Sequence, residues 1–291
     1  MYPVVATKRT ELVEAMVQSA YLGMFSKGDQ HFIPKIFNWV TDCFEGRYGD
    51  YQAIDARYHD FEHTLQVTLC MARLLAQRQT IGASPVLSQR MVELGLLAIL
   101  LHDTGYLKTR DDTEGTGAKY TTTHVNRSAD FAAGLLGEKG FLMPEILSVQ
   151  NMIRCTGVDA TLSLISFQSE QERITGFALA TADLLGQMAA EDYIEKLPCL
   201  YAEFAEAAAY SHTKGNYVSM FSSAADLLAK TPAFWEHYVK VKLERDFGGL
   251  HTCFNHPYPD GPNWYLDKIE ANINKLREQL ADGAGAAKQK S

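Results

Sequence analysis

Five residues in this sequence have the types and the spacing needed for metal chemistry. His59 and His63 stand four positions apart, His102 and Asp103 are adjacent at the end of an unbroken apolar run, and Asp183 lies in a second apolar segment. Ionisable groups in such surroundings are costly to bury unless they are paired, hydrogen-bonded or bound to metal. Neutral imidazoles and carboxylates are the usual ligands of Zn, Mn and Fe ions. The pattern therefore predicts a divalent-metal site.

The two upstream histidines flank the start of a predicted helix. Asp60 is a good N-cap residue, which places His59 just before the helix and His63 at its third position. Both side chains can then face one cavity from different backbone settings, so that one binds metal while the other stays free. Taken alone, two histidines four residues apart are more often ordinary histidines beside a helix cap, and the other candidate ligands are needed to decide.

The adjacent histidine and aspartate are predicted to lie near a helix end. A helix is expected from about Leu87 to Asp103, and neighbouring residues inside a helix point about 100° apart. His102 and Asp103 can therefore converge on one ion only at the end of the helix or at a local distortion. Gly105 follows directly, and glycine is a common helix terminator. The pair thus stands where joint ligation is geometrically possible.

The order of these residues resembles the HD-domain superfamily of metal-dependent phosphohydrolases. The segment Tyr58-His59-Asp60-x-x-His63 is similar to the Tyr-His-Asn-x-x-His signature of the cyclic-nucleotide phosphodiesterase branch, with Asp60 in place of its Asn. The resemblance covers the chain from about Tyr58 to Asp183. It implies an all-α fold, a multi-helix bundle built around a metal site. The implied ligands are His63, His102, Asp103 and Asp183.

The resemblance also implies a reaction. A bound divalent ion lowers the pKa of a water ligand and neutralises charge that develops on a phosphoryl oxygen. His59, which is not a ligand, matches the general acid of the phosphodiesterase branch, and we expect His59 and Asp103 to be the catalytic residues. The expected function is that of a metal-dependent phosphohydrolase, which cleaves a phosphodiester or phosphomonoester of a small, nucleotide-like substrate.

A second ion is compatible with the same pattern. The HD-GYP branch, which binds two metals, carries a histidine at the start of a helix like the one that begins near His124. The histidine pair of that branch has no counterpart in the segment 152–157, and Tyr106 stands where phosphodiesterases have another histidine. We expect one firmly held ion, with His124 supporting it or binding a second, weaker one. These ligands do not distinguish Mn, Fe, Mg, Zn, Ni and Co.

Three polar residues near the ligands are candidates for substrate contacts. Lys108 and Arg110 are the first cations after the ligand pair, in a polar loop at about 108–123, and a cation there can hold a phosphate. Gln187 follows Asp183 by one helical turn on the same face. A solvated position on a loop or helix surface is the commoner explanation for each of the three.

Two other functions fit the same residues. An HD-type iron oxygenase, related in fold to inositol oxygenase, needs two irons and more histidines, and His124 is the one extra histidine that the pattern offers. A non-catalytic binding or regulatory module can keep the metal as a structural staple. His59 argues against that module, because a purely structural site has no use for an imidazole that is not a ligand.

Composition limits the partners and the compartment. The 291 residues are 46% hydrophobic with a formal net charge of −8, so no positive field is available for a nucleic-acid polymer. A small phosphorylated substrate is compatible, because a bound cation supplies local positive charge. Five scattered cysteines without a Cys-x-x-Cys pair are typical of a reducing compartment. With no signal peptide and no apolar run of ~20 residues, the sequence favours a cytoplasmic protein that contacts no membrane.

The expected organisation is a single helical domain over residues 1–281. Its HD core occupies about 58–185, and apolar spacing predicts further helices on both sides of this core. The first of these begins at Thr10, a plausible N-cap residue. The last one ends at about Ala281, and the polar segment 282–291 is expected to be disordered. Assembly into a homo-oligomer is compatible with this sequence.

Overall fold

The predicted fold class is confirmed. The computed structural model describes residues 2, 3, 5–211 and 217–288, and within these ranges the chain forms an all-α bundle without a β-strand. The α-helices are α1 (Thr10–Met24), α2 (Phe32–Phe44), α3 (Phe61–Thr80), α4 (Gln89–Leu101), α5 (His124–Glu138), α6 (Met143–Ile153), α7 (Glu170–Met188), α8 (Tyr193–Tyr210), α9 (Ala224–Phe234) and α10 (Trp264–Lys288).

Three helices at the centre of the bundle carry most of the candidate site. α3, α4 and α7 pack against one another, and every residue of α4 from Val92 to Leu101 is buried. This burial explains the unbroken apolar run, because a helix that is apolar on all sides is a central one. α3 and α7 approach closely at Gly186, where a Cβ atom would lie 2.8 Å from the Cα of Val67. The contact sets the spacing between the helices that carry His63 and Asp183.

The helix ends near the site follow the predicted chemistry. Asp60 caps α3, and its side chain accepts the backbone N–H of His63 at 2.8 Å. α4 ends at Leu101, before a short 3₁₀ turn. His102 and Asp103 therefore lie just beyond a helix end, where neighbouring side chains can converge.

Two predicted helix boundaries are wrong. Arg9, and not Thr10, is the N-cap residue of α1, and Thr10 is already helical. α10 extends beyond Ala281 to Lys288, so residues 282–288 are helical rather than disordered, while 289–291 lie outside the described residues.

Residues 224–246 form one continuous helical rod, where the sequence suggests two helices at about 218–229 and 232–247. α9 continues through π-helical turns at Trp235–Val239 and Lys242–Asp246. The indole of Trp235 is fully buried, and its N–H donates to the Glu270 carboxylate on α10 at 2.8 Å. This anchor holds the rod against the rest of the bundle.

Two expectations from composition can be compared with the structure. No helix in the described ranges is long and apolar enough to cross a membrane. All five cysteines are free thiols. Unpaired thiols agree with the absence of a disulfide framework in the sequence.

Candidate metal centre

The predicted ligands converge at the centre of the bundle. His63 projects from the first turn of α3, and its Nε2 lies 3.3 Å from the nearer carboxylate oxygen of Asp103. Nε2 of His102 lies 3.2 Å from the same oxygen. The ligand atoms of these three buried residues all lie within 4.8 Å of one another, so that one metal ion can contact all of them.

Asp183 joins this cluster from α7. One of its carboxylate oxygens lies 3.4 Å from Nε2 of His63 and 3.6 Å from Nε2 of His102. Nε2 of each imidazole therefore lies within 3.6 Å of a carboxylate oxygen of Asp103 and of one of Asp183. The four residues come from α3, α7 and the end of α4, so the site depends on the packing of these three helices.

The hydrogen bonds around the cluster, as well as its distances, are those expected of a metal site. Nδ1 of His102 lies 2.7 Å from the carbonyl oxygen of Ile99. A carbonyl only accepts, so Nδ1 carries a proton and Nε2 is the nitrogen that faces the carboxylates. Nε2 of His102 and the nearer oxygen of Asp103 are both buried without a hydrogen-bond partner. A divalent cation between them satisfies both atoms.

The charges at the cluster depend on one another. Burial by itself lowers the pKa of His63, but the carboxylates of Asp103 and Asp183 outweigh it and raise the pKa to about 9. Burial also raises the pKa of Asp103, yet the neighbouring imidazole of His102 holds it well below its ordinary range. The carboxyl group of Asp103 is therefore ionised at neutral pH and attracts a cation.

His59 lies beside the cluster and has a partner that sequence analysis missed. Its Nδ1 lies 2.6 Å from the carboxylate of Glu203, a residue of α8 that is 4% exposed. The other carboxylate oxygen accepts the backbone N–H of Tyr58 at 2.7 Å. Burial raises the pKa of Glu203, but the imidazole of His59 and the backbone N–H groups of Tyr58 and His59 lower it overall. The ring of His59 is thus held by a buried, charged partner.

A signal for Glu203 exists in the sequence. Leu197, Leu200 and Ala207 follow the apolar spacing of α8, and Glu203 stands on the face that this spacing assigns to the core. A single carboxylate on an apolar helix face requires a partner.

Tyr106 occupies the place of the histidine that the resemblance leads one to expect. Its ring stacks on His59 with centroids 4.5 Å apart and on His124 with centroids 4.7 Å apart. The tyrosine therefore fixes the positions of both imidazoles. Gly105 makes the arrangement possible, because a Cβ atom there would lie 2.0 Å from the carbonyl oxygen of His124.

His124 faces the second oxygen of Asp103 at 3.8 Å. Its Nδ1 lies 2.6 Å from the Thr121 carbonyl, so Nε2 has the free lone pair, and burial lowers its pKa. A neutral imidazole on this side is suited to a second ion that shares Asp103 with the first.

The predicted phosphate contacts are engaged elsewhere. Nζ of Lys108 donates to the carbonyl of Gly115 at 2.6 Å and lies 3.2 Å from Asp55. Arg110 donates to the carbonyl of Gly46 at 2.9 Å. These bonds tie the 108–123 loop to its neighbours, and neither side chain belongs to the wall of the cavity at the metal ligands.

A cavity of about 520 Å³ reaches the cluster. Asp103, Asp183, His59 and His124 stand in its wall. Gln187 also lines it, but its amide already donates to the Asp183 carbonyl and accepts from the hydroxyl of Tyr58. The cavity gives a small molecule access to the candidate ligands.

A family model described as Npun_R2479-like matches residues 9–253. The chain belongs to the Npun_R2479-like family. The match covers most of the 291 residues and contains the whole candidate site, from Tyr58 to Glu203. No curated protein matches the chain. The description of the Npun_R2479-like family names no activity, so the chemistry of the site carries the functional argument.

Proposed function

We propose that this protein is a metal-dependent phosphohydrolase that cleaves a phosphodiester or phosphomonoester of a small substrate. The observation that supports it most is the convergence of two imidazoles and two carboxylates beside a further imidazole, that of His59, which stands outside the cluster. A site that only holds the fold together has no need of that group. The adjoining cavity supports access by a substrate.

The proposed ligands are the four residues of the cluster. His63, His102, Asp103 and Asp183 would hold one ion and leave coordination positions open. A bound divalent ion supplies a water of lowered pKa and positive charge beside the phosphoryl oxygens. His124 and the second oxygen of Asp103 would hold a weaker second ion. The donor set accepts Mn, Fe, Mg, Zn, Ni or Co.

His59 is the proposed general acid. Water attacks phosphorus, the ester P–O bond breaks, and the leaving oxygen takes a proton from the imidazole to become an alcohol. Because Nδ1 of His59 faces Glu203, Nε2 is the nitrogen available to the substrate. The other product is a phosphate monoester from a diester, or inorganic phosphate from a monoester.

Replacing His59 separates catalysis from metal binding. We expect His59→Asn to lower hydrolysis by about 10²- to 10⁴-fold, the usual contribution of a general acid. Elemental analysis of the same sample is expected to show unchanged metal content. His256→Asn, at an exposed position outside the cavity, is the matched control and keeps full activity. Loss of metal from His59→Asn would show that this residue is a ligand and not the acid.

The same preparation distinguishes the alternatives. Two bound irons together with oxygen consumption would show that the protein is an oxygenase and not a phosphohydrolase. The observation that supports this alternative is the position of His124 beside Asp103. Bound metal with no reaction at all would leave a regulatory or binding module. A cytoplasmic location belongs to the same proposal and is supported by the free thiols.

A further inference from the structure

The wall of the cavity beyond the metal cluster is strongly apolar. The large apolar side chains of this wall come from α7, α8, α9, the segment before α9 and the π-helical turn after it; they are Leu184, Leu200, Phe204, Phe221, Phe234 and Tyr238. All six are only half-buried, although the bundle buries most side chains of this kind. Large apolar side chains that surround an open cavity favour an apolar occupant, because its surface leaves water on binding.

Aromatic rings shape part of this wall. Phe204 and Phe221 are stacked with centroids 5.9 Å apart, and Phe234 and Tyr238 are stacked with centroids 4.9 Å apart. Each pair presents a rigid, flat surface, since the two rings limit each other's motion. Such surfaces suit a hydrocarbon chain or an aromatic group.

Most of the polar side chains in this wall are already hydrogen-bonded within the protein. The hydroxyls of Thr231 and Tyr238 donate to the carbonyls of Leu227 and Val158, while His237 adds one exposed imidazole. Nζ of Lys230 already donates to the Asp226 carboxylate at 2.9 Å and to the Met220 carbonyl at 3.1 Å. Both ends of the Gln187 amide are used within the protein. A polyphosphate needs several cations, and a nucleobase needs unpaired donors and acceptors along its edge.

We infer that the substrate joins its phosphate ester to an aliphatic or aromatic body, which the apolar part of the cavity receives. This inference rests on the proposed function and replaces the nucleotide-like substrate expected from the sequence. The ester faces the metal ligands at one end, and the apolar body lies between α7, α8 and α9. The ester thus occupies the polar end, while the rest of the molecule gains affinity from burial.

A series of non-hydrolysable alkylphosphonates tests the inference. Calorimetry on the Mn-loaded protein would compare methyl-, butyl- and octylphosphonate with adenosine monophosphate. We expect affinity to rise about threefold to fourfold for each added methylene until the cavity is full, as burial of hydrocarbon predicts. Adenosine monophosphate is expected to bind more weakly than octylphosphonate. Equal affinity across the series, or tighter binding of the nucleotide, would overturn the inference.

A cavity-filling variant locates the effect. Leu200→Trp narrows the apolar part of the cavity and is expected to flatten the chain-length dependence while methylphosphonate binds as before. Leu147→Trp, on α6 at a position 42% exposed, is the control and keeps the full dependence. The series on the unmodified protein remains decisive if Leu200→Trp does not fold.

Hydrolysis assays on the same protein separate the two proposals. If binding depends on chain length but no ester is cleaved, the proposed phosphohydrolase activity is wrong and the apolar substrate site stands. If esters are cleaved but binding does not depend on chain length, the phosphohydrolase activity stands and the apolar substrate site is wrong.

Discussion

At the residue scale, three of the four imidazoles at the site are held through Nδ1. Nδ1 of His102 and Nδ1 of His124 face backbone carbonyls, whereas Nδ1 of His59 faces the carboxylate of Glu203. A carbonyl fixes the tautomer and leaves Nε2 ready for a metal, while a carboxylate also supports a ring that carries both protons. His59 differs from the other two in having a charged partner, and it lies outside the His63–His102–Asp103 cluster.

The first prediction concerns the carboxylate that holds His59. Glu203→Gln keeps the size of the side chain but removes its charge, so we expect hydrolysis to fall about 10- to 100-fold. Metal content, measured by elemental analysis, is expected to stay unchanged because Glu203 does not belong to the ligand cluster. Glu206→Gln is the control, since Glu206 bonds to Thr116 in the neighbouring loop. Full activity in Glu203→Gln would show that His59 needs no charged partner.

The ligand residues could be found from sequence, but their supporting partners could not. His102 and Asp103 end an apolar run, which makes them conspicuous. Glu203 lies far from His59 in the chain, and only its place on the core face of α8 marks it. The packing of α8 against the segment before α3 brings Glu203 to His59. A contact between such distant parts of the chain cannot be predicted from local sequence.

At the scale of helices, the site depends on how closely α3 and α7 approach. His63 lies on one of these helices and Asp183 on the other. Gly186 on α7 permits the contact, because any Cβ atom there would meet the backbone of Val67 on α3. The distance between the two ligands is therefore set by a residue that touches neither of them.

The second prediction compares two glycines inside helices. We expect Gly186→Ala to reduce the free energy of unfolding by about 1–3 kcal/mol through overpacking and to weaken metal binding. Gly134→Ala on α5 has no atom within 4 Å of the new Cβ and should increase the free energy of unfolding by up to about 1 kcal/mol. Urea denaturation and metal titration of both variants would check this. Equal stability of the two variants would show that α3 and α7 can separate freely.

Helix ends were predictable where capping chemistry is local. Asp60 identified the start of α3 correctly, because its cap involves only the next three residues. The π-helical turns after α9 were not predicted, because no local residue pattern distinguishes them from an ordinary α-helix. The extension of α10 past Ala281 was not predicted, because Gly283 and Gly285 are typical of a chain that leaves a helix.

At the scale of the whole molecule, the bundle encloses two carboxylates, those of Asp103 and Asp183, beside the same two imidazoles. Burial there disfavours the charged forms of both carboxyl groups. Protonated imidazoles offset this charge in the metal-free protein. A divalent ion offsets it more completely, because it also satisfies Nε2 of His102.

The third prediction is that metal stabilises the fold. A ligand that binds only the folded state, present at about 1,000 times its Kd, adds about 4 kcal/mol to the free energy of unfolding. We expect a rise in Tm on addition of Mn or Zn and its reversal by a chelator, followed by calorimetry. Asp103→Asn should lose this response. A Tm that does not respond to any of the candidate ions would argue that no such site exists.

The all-α class followed from the resemblance to the HD-domain superfamily, and the burial of α4 followed from its unbroken apolar run. The shape of the cavity did not, because its wall combines side chains of α7, α8 and α9 that look like ordinary core residues in the sequence. Apolar spacing alone does not distinguish a side chain that packs in the core from one that lines a cavity.

The most direct test of the central claim is the hydrolysis of simple phosphate diesters and monoesters by the purified protein, with Mn, Mg or Fe(II) added and metal content measured on the same sample. We expect cleavage that requires metal and is lost in Asp103→Asn. Metal-dependent cleavage that persists in Asp103→Asn, or bound metal without cleavage of any ester, would contradict the account.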